Sequence, residues 1–342
     1  MIKSTTNRIL ELDALRGIAA IFVVVFHYTM GNPFAFNQGG TGVDLFFIIS
    51  GFVISLTIAK TKSWKDFAVN RFSRLFPTYW IIVSFTAILR ILNGETVTLS
   101  RYLINLTMFQ SYFKVDDIDW VYWTLLVEMC FYFLMILVFV TKTLKNIEFI
   151  GLGFLLIIIF LNIPFVKINF PKYYREIHHF FPLLAHFPLF LSGIVFYKMI
   201  VDKQTILRYV ILLLCFILEI WIFNIDIRPI FELSKFEYSI TLLIWFSLFV
   251  LYVNNKLGFL VNRVTLFLGS ISFSLYLIHQ YIGLFILLPF FGQTLKMSPI
   301  IYIPLTILIV CLLSFINMKF IEKPTMNFIR NKYKQYKQKA TI

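Results

Sequence analysis

The chain has 342 residues, of which 59% are hydrophobic and only 14% charged, and its mean hydropathy is +0.83. A soluble domain of this length has too little interior to bury so many apolar side chains, so the composition excludes a soluble globular enzyme. The formal net charge of +14 would suggest a nucleic-acid partner in a soluble protein, but in a membrane protein it is typical of cytoplasmic loops that face anionic lipid. We therefore predict an all-α polytopic integral membrane protein that binds no nucleic acid.

The predicted spans follow from runs of about 20 mostly apolar residues, which is the length that crosses a bilayer as a helix. About ten transmembrane helices are expected, at 12–30, 43–60, 75–93, 120–141, 148–163, 180–200, 205–224, 238–254, 264–290 and 299–320. Segment 99–113 is more polar, and we expect it to be interfacial or re-entrant.

The distribution of basic residues predicts the orientation of these spans. With a cytoplasmic N-terminus, the inner segments hold 21 Lys and Arg residues and the outer segments hold nine. This excess on the inner side predicts that both termini are cytoplasmic. We expect one membrane domain over 1–342 with a basic cytoplasmic tail at 325–342.

Two ionisable residues of the first predicted helix, Arg16 and His27, are candidates for a function. Their positions differ by eleven, which is about three helical turns, so they share one helix face and lie roughly 16 Å apart along the axis. A charge within hydrocarbon is a functional candidate. The alternative is a snorkelling arginine and a histidine that bonds to a neighbouring helix.

Glu128 is another intramembrane charge, in WVYWTLLVEMCFYF. Trp120 and Trp123 lie where an aromatic belt would mark the outer interface, which gives Glu128 about the same predicted depth as His27. A carboxylate that meets a histidine can hold its tautomer and stabilise its cation. Glu128 could instead pair structurally with Arg16 or another base.

Asp44, His279 and a pair of arginines are further candidate residues. Asp44 opens the second helix, where a cap or first-turn partner is the common role. A lone histidine such as His279 on an apolar face is often a packing residue. Arg71 and Arg74 stand three apart and could hold a phosphate group, or they could be ordinary positive anchors on the inner side.

Metal and disulfide sites are not predicted. The three cysteines lie inside apolar runs without paired spacing. His178, His179 and His186 cluster near the sixth predicted span, but the sequence indicates no third ligand on a shared face.

Six segments together resemble acyltransferase family 3, the membrane acyltransferases that modify bacterial surface sugars. They are LDALRGIAAIFVVVFHY, GVDLFFIISGFVIS, RFSRLFPTYW, WTLLVEMCFYF, SFSLYLIHQ and IEKP, and they run in order from Leu12 to Pro324. One departure is Asn70, where relatives often carry a basic residue. Some relatives also carry an SGNH hydrolase-like domain after the membrane part, and we expect no such appended domain here.

The resemblance implies an O-acyltransferase, above all an O-acetyltransferase, that takes its acyl group from cytoplasmic acyl-CoA and has no tightly bound cofactor. The implied acceptor is a hydroxyl of a lipid-linked or surface glycan, such as an O-antigen or an exopolysaccharide. The implied location is the bacterial cytoplasmic (inner) membrane. Direct transfer and a covalent acyl-histidine step are both open.

The residues and the resemblance together suggest a division of roles. The catalytic candidates are His27 as general base, Glu128 as the group that orients it, and Arg16. Arg71 and Arg74 bind the phosphates of coenzyme A, and Arg16 receives the pyrophosphate or upper pantetheine. The candidates for the substrate site are Asp44, His279 and Trp123.

Two other functions fit a chain of this kind. A secondary transporter or flippase for a lipid-linked saccharide would also carry buried charges, but it should have broken helices in two related halves. A donor-side component that hands its acyl group to an external partner would release coenzyme A only with that partner present.

Overall fold

The protein is helical through most of the chain that its structure describes. The computed structural model describes residues 9–223 and 233–339, and within these ranges it contains no β-strand. The all-α prediction is therefore confirmed. Lys3, Arg8 and Arg228, which entered the charge count, and the last three residues of the predicted basic tail lie outside the described residues.

Fourteen α-helices occur in the described ranges. In chain order they are α1 (Leu10–Thr29), α2 (Gly42–Ala59), α3 (Trp64–Leu92), α4 (Leu99–Asn105), α5 (Trp123–Val140), α6 (Ile147–Asn162), α7 (Pro164–Asn169), α8 (Pro171–Phe180), α9 (Phe187–Val201), α10 (Ile206–Ile222), α11 (Lys235–Val253), α12 (Arg263–Ile278), α13 (Pro299–Asn317) and α14 (Lys323–Lys339). Wider π-helical turns follow α12 at His279–Leu287 and Phe290–Thr294, and another joins α13 to α14 at Met318–Glu322.

Seven helical stretches of the described chain are long and apolar enough to cross a membrane. They are Asn37–Ala59, Trp64–Leu92, Trp120–Val140, Leu144–Asn162, Lys235–Val253, Arg263–Thr294 and Pro299–Lys339. The other three predicted spans are also helical, as α1, α9 and α10. The multi-pass membrane character is supported, while the count of about ten spans and the cytoplasmic termini stay predictions.

The helices form two compact units. Within the described residues, unit 1 comprises 9–52 and 189–273, and unit 2 comprises 53–188 and 274–339. The single membrane domain stays a prediction.

Glycine contacts bring helix backbones together inside unit 1. A Cβ atom on Gly17 of α1 would lie 2.5 Å from the carbonyl oxygen of Thr265, and one on Gly269 of α12 would lie 2.0 Å from that of Asp13. Small residues permit such close helix packing in membranes, where burial of apolar surface gives little driving force. The α1 helix, which carries Arg16 and His27, is thereby held directly against α12.

The third helix begins at Trp64, well before the predicted start at 75. Ser63 caps it by accepting a hydrogen bond from the Lys65 N–H at 3.1 Å. Arg71 and Arg74 therefore lie inside α3 and not in a preceding loop. The predicted boundary was wrong because this polar first part of α3 packs against α14, a contact between distant parts of the sequence.

Two other boundaries bear on the site. Segment 99–113 contains the seven-residue α4 and a short 3-10 turn at Gln110–Phe113, so it is not a long span. The sixth predicted span, 180–200, begins as a continuous helix only at Phe187, because Pro182 starts a separate 3-10 turn at Pro182–Ala185.

Candidate functional site

The His27 imidazole has a defined tautomer. Its Nδ1 lies 2.8 Å from the carbonyl oxygen of Val23, one turn earlier in α1. A carbonyl oxygen can only accept, so Nδ1 carries the hydrogen and, in the neutral ring, Nε2 carries the lone pair. The ring also packs edge-on against Phe26, at a centroid distance of 4.8 Å. His27 is thus oriented by its own helix, with Nε2 as the basic nitrogen.

Arg16 forms an ion pair that sequence reasoning missed. Its Nη1 lies 3.3 Å from Oδ1 of Asp13, and the Asp13 side chain is buried. The i, i+3 spacing of opposite charges was a visible signal for this contact. Asp13 compensates part of the Arg16 charge.

Asp44 lies in the first turn of α2, as predicted, and is only 2% exposed. A second buried carboxylate, Glu219 of α10, has an oxygen within 4.8 Å of an Asp44 oxygen. Glu219 also accepts a hydrogen bond from the Tyr238 hydroxyl at 3.2 Å. Sequence reasoning missed Glu219, whose signal was a single charge inside the apolar run LLLCFILEIWIF. Asp44 is therefore one of two neighbouring carboxylates inside unit 1.

Arg71 lies in an aromatic and polar environment within unit 2. Its Nη2 donates to the Thr57 hydroxyl at 2.8 Å. Its guanidinium carbon lies 5.5 Å from the ring centroid of Phe67 and 5.8 Å from that of Tyr132. Arg74 follows one turn later on the same helix. The predicted arginine pair is therefore presented by a continuous helix.

Glu128 is connected to Arg71. The Tyr132 hydroxyl, one turn further along α5, donates a hydrogen bond to Oε1 of Glu128. The Tyr132 ring contacts Arg71, and the Glu128 charge acts electrostatically on the same guanidinium. The structure thus brings Glu128 together with Arg71 inside unit 2. The predicted pairing of Glu128 with His27, which belongs to unit 1, stays a prediction.

His279 and Trp123 share a region of unit 2. His279 is fully buried at the start of a π-helical turn, and its Nδ1 donates to the Tyr276 carbonyl oxygen at 2.7 Å. The Tyr276 hydroxyl lies 2.9 Å from the Thr124 hydroxyl, next to Trp123. The Trp123 ring centroid is 5.3 Å from that of His186.

Sequence reasoning missed a polar network in unit 2. The buried Asp119 accepts a hydrogen bond from the Tyr281 N–H at 3.0 Å, and Arg90 stacks over the Tyr281 ring at 4.6 Å. The Tyr281 hydroxyl donates to Glu95 at 2.7 Å. Burial raises the pKa of Asp119 to about 7, against the opposing effects of the Tyr281 N–H and Arg90. The acidic cluster VDDID, directly before the aromatic belt, was the signal for this network.

The predicted residues fall into three groups. Unit 1 holds Arg16, His27 and Asp44. Unit 2 holds two groups, which are Arg71, Arg74 and Glu128 in one and Trp123 and His279 in the other. The continuous donor path from Arg71 to His27 stays a prediction.

Comparison with known proteins gives one family match. The family whose sequence model is described as an acyltransferase domain matches residues 9–318, which is nearly the whole chain. No solved structure matches the chain.

Several curated relatives are bacterial. The peptidoglycan O-acetyltransferase OatA of Listeria monocytogenes is 28% identical over 208 residues, which cover 51% of this chain and 32% of the relative. YrhL of Bacillus subtilis, provisionally named a peptidoglycan O-acetyltransferase, is 24% identical and covers 92% of this chain and 54% of the relative. A provisionally named O-acetyltransferase of Staphylococcus aureus strain COL is 23% identical, with 78% and 49% covered. This chain spans about half the length, or less, of these relatives.

Proposed function

The chain belongs to the acyltransferase 3 family, and we propose that it is a membrane O-acetyltransferase that moves an acyl group from acyl-CoA to a glycan hydroxyl. The observation that carries the proposal is the His27 imidazole, which lies within the matched segment and is oriented by Val23 so that Nε2 is the basic nitrogen. A base of this kind suits proton abstraction from a hydroxyl.

The donor binds first through its phosphates. Arg71 and Arg74 hold phosphate groups of coenzyme A, and Arg16 receives the pyrophosphate or the upper pantetheine. The axial distance of about 16 Å from Arg16 to His27 is comparable to an extended pantetheine arm. The thioester then reaches the level of His27.

In the acyl transfer, the ester C–O bond forms and the thioester C–S bond breaks. Nε2 of His27 takes the proton of the acceptor hydroxyl as its oxygen attacks the thioester carbonyl carbon. The tetrahedral intermediate collapses, the C–S bond breaks, and the coenzyme A thiolate takes the proton from the imidazolium. A covalent acyl-histidine intermediate is the alternative route.

Two alternative roles are proposed for Glu128, and they predict different kinetic effects of its substitution. In one it stabilises the imidazolium that forms during the reaction. In the other, supported by the Tyr132 hydrogen bond, it holds the Arg71 guanidinium in position for the donor phosphates. The first role predicts an altered kcat and pH profile for Glu128→Gln, and the second predicts a higher KM for acyl-CoA.

The acceptor lies on the opposite side of the membrane from the donor. Asp44, His279 and Trp123 are the candidates for contacts with it. The names of the relatives favour peptidoglycan among the glycans. The proposed location is the bacterial cytoplasmic membrane.

The test is acetyl transfer by the purified protein in nanodiscs, with labelled acetyl-CoA and a lipid-linked glycan as acceptor. His27→Ala should lower the transfer rate at least about 100-fold, as expected for the loss of a general base, with coenzyme A binding retained. The matched control is His179→Ala, because His179 is an exposed histidine of α8. Near-normal transfer by His27→Ala would show that His27 is not a catalytic residue. If the wild-type protein transports the glycan without acetylating it, the protein is a flippase and not an acetyltransferase.

A further inference from the structure

Residues 325–339 of the basic tail belong to α14, which is docked on α3. Asp66, in the first turn of α3, forms an ion pair with Lys337 of α14 at 2.8 Å and accepts a hydrogen bond from the Tyr333 hydroxyl at 3.0 Å. These contacts join residues that are far apart in the sequence. Helix α14 therefore packs against the first three turns of α3.

Arg330 lies one turn before Tyr333 on α14. Its Nε donates to the Ser73 hydroxyl at 3.0 Å, and its Nη2 donates to the Asn70 carbonyl oxygen at 3.2 Å. Asn70 and Ser73 directly precede Arg71 and Arg74. The guanidinium of Arg330 is thus fixed over the part of α3 that presents the arginine pair.

The three guanidinium groups are close enough to repel one another. The charges of Arg71 and Arg74 both act on Arg330, which is partly buried. Carboxylates act on the other two members, Glu128 on Arg71 and Glu322 on Arg74. Among the residues that the structure describes, no carboxylate forms an ion pair with Arg330.

Such a cluster is stabilised when an anion binds to it. Repulsion between like charges at short range is costly where water is scarce, and a phosphate oxygen relieves it through charge-assisted hydrogen bonds. Guanidinium groups bind phosphates through two parallel N–H donors, so several of them suit a ligand with several phosphate groups. The nucleotide end of coenzyme A carries a diphosphate and a 3′-phosphate.

We propose that Arg330 is the third member of the donor site and that, with Arg71 and Arg74, it binds the phosphate groups of the acyl-CoA nucleotide. The identity of this anion rests on the proposed function. The chemistry that coenzyme A shares with an anionic lipid headgroup is the binding of phosphate by guanidinium groups. The docked helix α14 is accordingly a part of the substrate site.

The test compares coenzyme A binding by wild-type and variant proteins in nanodiscs of neutral lipid. Arg330→Gln should raise the Kd for coenzyme A about tenfold or more, since it removes one guanidinium from the phosphates. The loss should be smaller for 3′-dephospho-coenzyme A and absent for pantetheine. The matched control is Lys334→Gln, which removes an exposed positive charge from the same helix and should leave all three Kd values unchanged.

A second control separates charge from docking. Tyr333→Phe removes one contact between α14 and Asp66 but keeps the Arg330 guanidinium. If Tyr333→Phe weakens binding as much as Arg330→Gln does, α14 acts only as a structural support and the proposal is overturned. An unchanged Kd for folded Arg330→Gln, with a melting temperature like that of the wild type, also overturns it.

Failure of the proposed function gives a different result. Wild-type protein that binds no coenzyme A would refute the acyl-CoA donor. In that case we would measure how much phosphatidylglycerol stays bound to the purified wild-type and variant proteins. Loss of that lipid in Arg330→Gln alone would assign the same three-guanidinium site to a lipid headgroup, and equal retention in all variants would rule out an anion site.

Discussion

The buried Asp119 should make the stability of the protein fall as the pH rises. The side chain is 1% exposed, and burial raises its pKa from 3.8 to about 7. A carboxyl group with a higher pKa in the folded protein binds more protons when folded, so the free energy of unfolding decreases with pH between the two values. Carboxylates that form ion pairs act in the opposite sense.

The magnitude follows from the difference between the two pKa values. Between 3.8 and about 7, each pH unit removes about 1.4 kcal/mol, which amounts to about 4 kcal/mol in total. This stabilising contribution is complete below about pH 4 and is lost as the pH passes about 7. Asp117, with a pKa raised by burial to about 6, adds a change of the same sign.

The assay is unfolding of wild-type and Asp119→Asn protein in detergent micelles between about pH 5 and about pH 8. Asparagine does not titrate but can still accept the Tyr281 N–H, so the variant should lack this part of the pH dependence. Relative to the variant, the wild type should lose about 3 kcal/mol of unfolding free energy over this range. Asp116→Asn, at an exposed position in the same loop, is the matched control and should follow the wild type. Parallel pH dependence of wild-type and Asp119→Asn protein would refute the reasoning.

Two further variants probe the packing of α1 and the role of Glu128. Gly269→Val places side-chain atoms against the Asp13 carbonyl oxygen, which a Cβ atom alone would approach to 2.0 Å, so we expect a loss of about 1–3 kcal/mol in the free energy of unfolding. Tyr132→Phe removes the hydroxyl that donates to Glu128 but keeps the ring beside Arg71. We expect the KM for acyl-CoA to rise about tenfold with little change in kcat, the equivalent of one hydrogen bond to a charged group.

The packing variant has a matched control, and for both variants one result would contradict the expectation. Gly258→Ala is the control for the packing variant, since nothing lies within 4 Å of the added Cβ atom, and it should leave the melting temperature unchanged. Wild-type stability of Gly269→Val would contradict a close contact between α1 and α12. A fall in kcat at constant KM for Tyr132→Phe would assign Glu128 to the chemistry of the acyl transfer.

Much of the architecture could be predicted from the sequence because hydropathy and helical periodicity depend only on residues that are close together in the sequence. Within the described residues, all ten predicted spans fall on helical segments, and Asp44 is in the first turn of α2 as expected. The common face of Arg16 and His27 follows from the continuity of α1 alone. Even the Arg16–Asp13 ion pair is a local contact that the spacing of charges could have indicated.

The contacts between polar groups of different helices were decided only by the tertiary structure. The Tyr132 ring and the Glu128 charge of α5 reach Arg71 of α3, and Arg330 comes to the first part of α3 from the other end of the chain. A polar group within apolar surroundings must find a partner, but the sequence does not state which of several polar groups will be within reach. That choice depends on how helices far apart in the sequence pack, because side-chain contacts form only where the backbones meet.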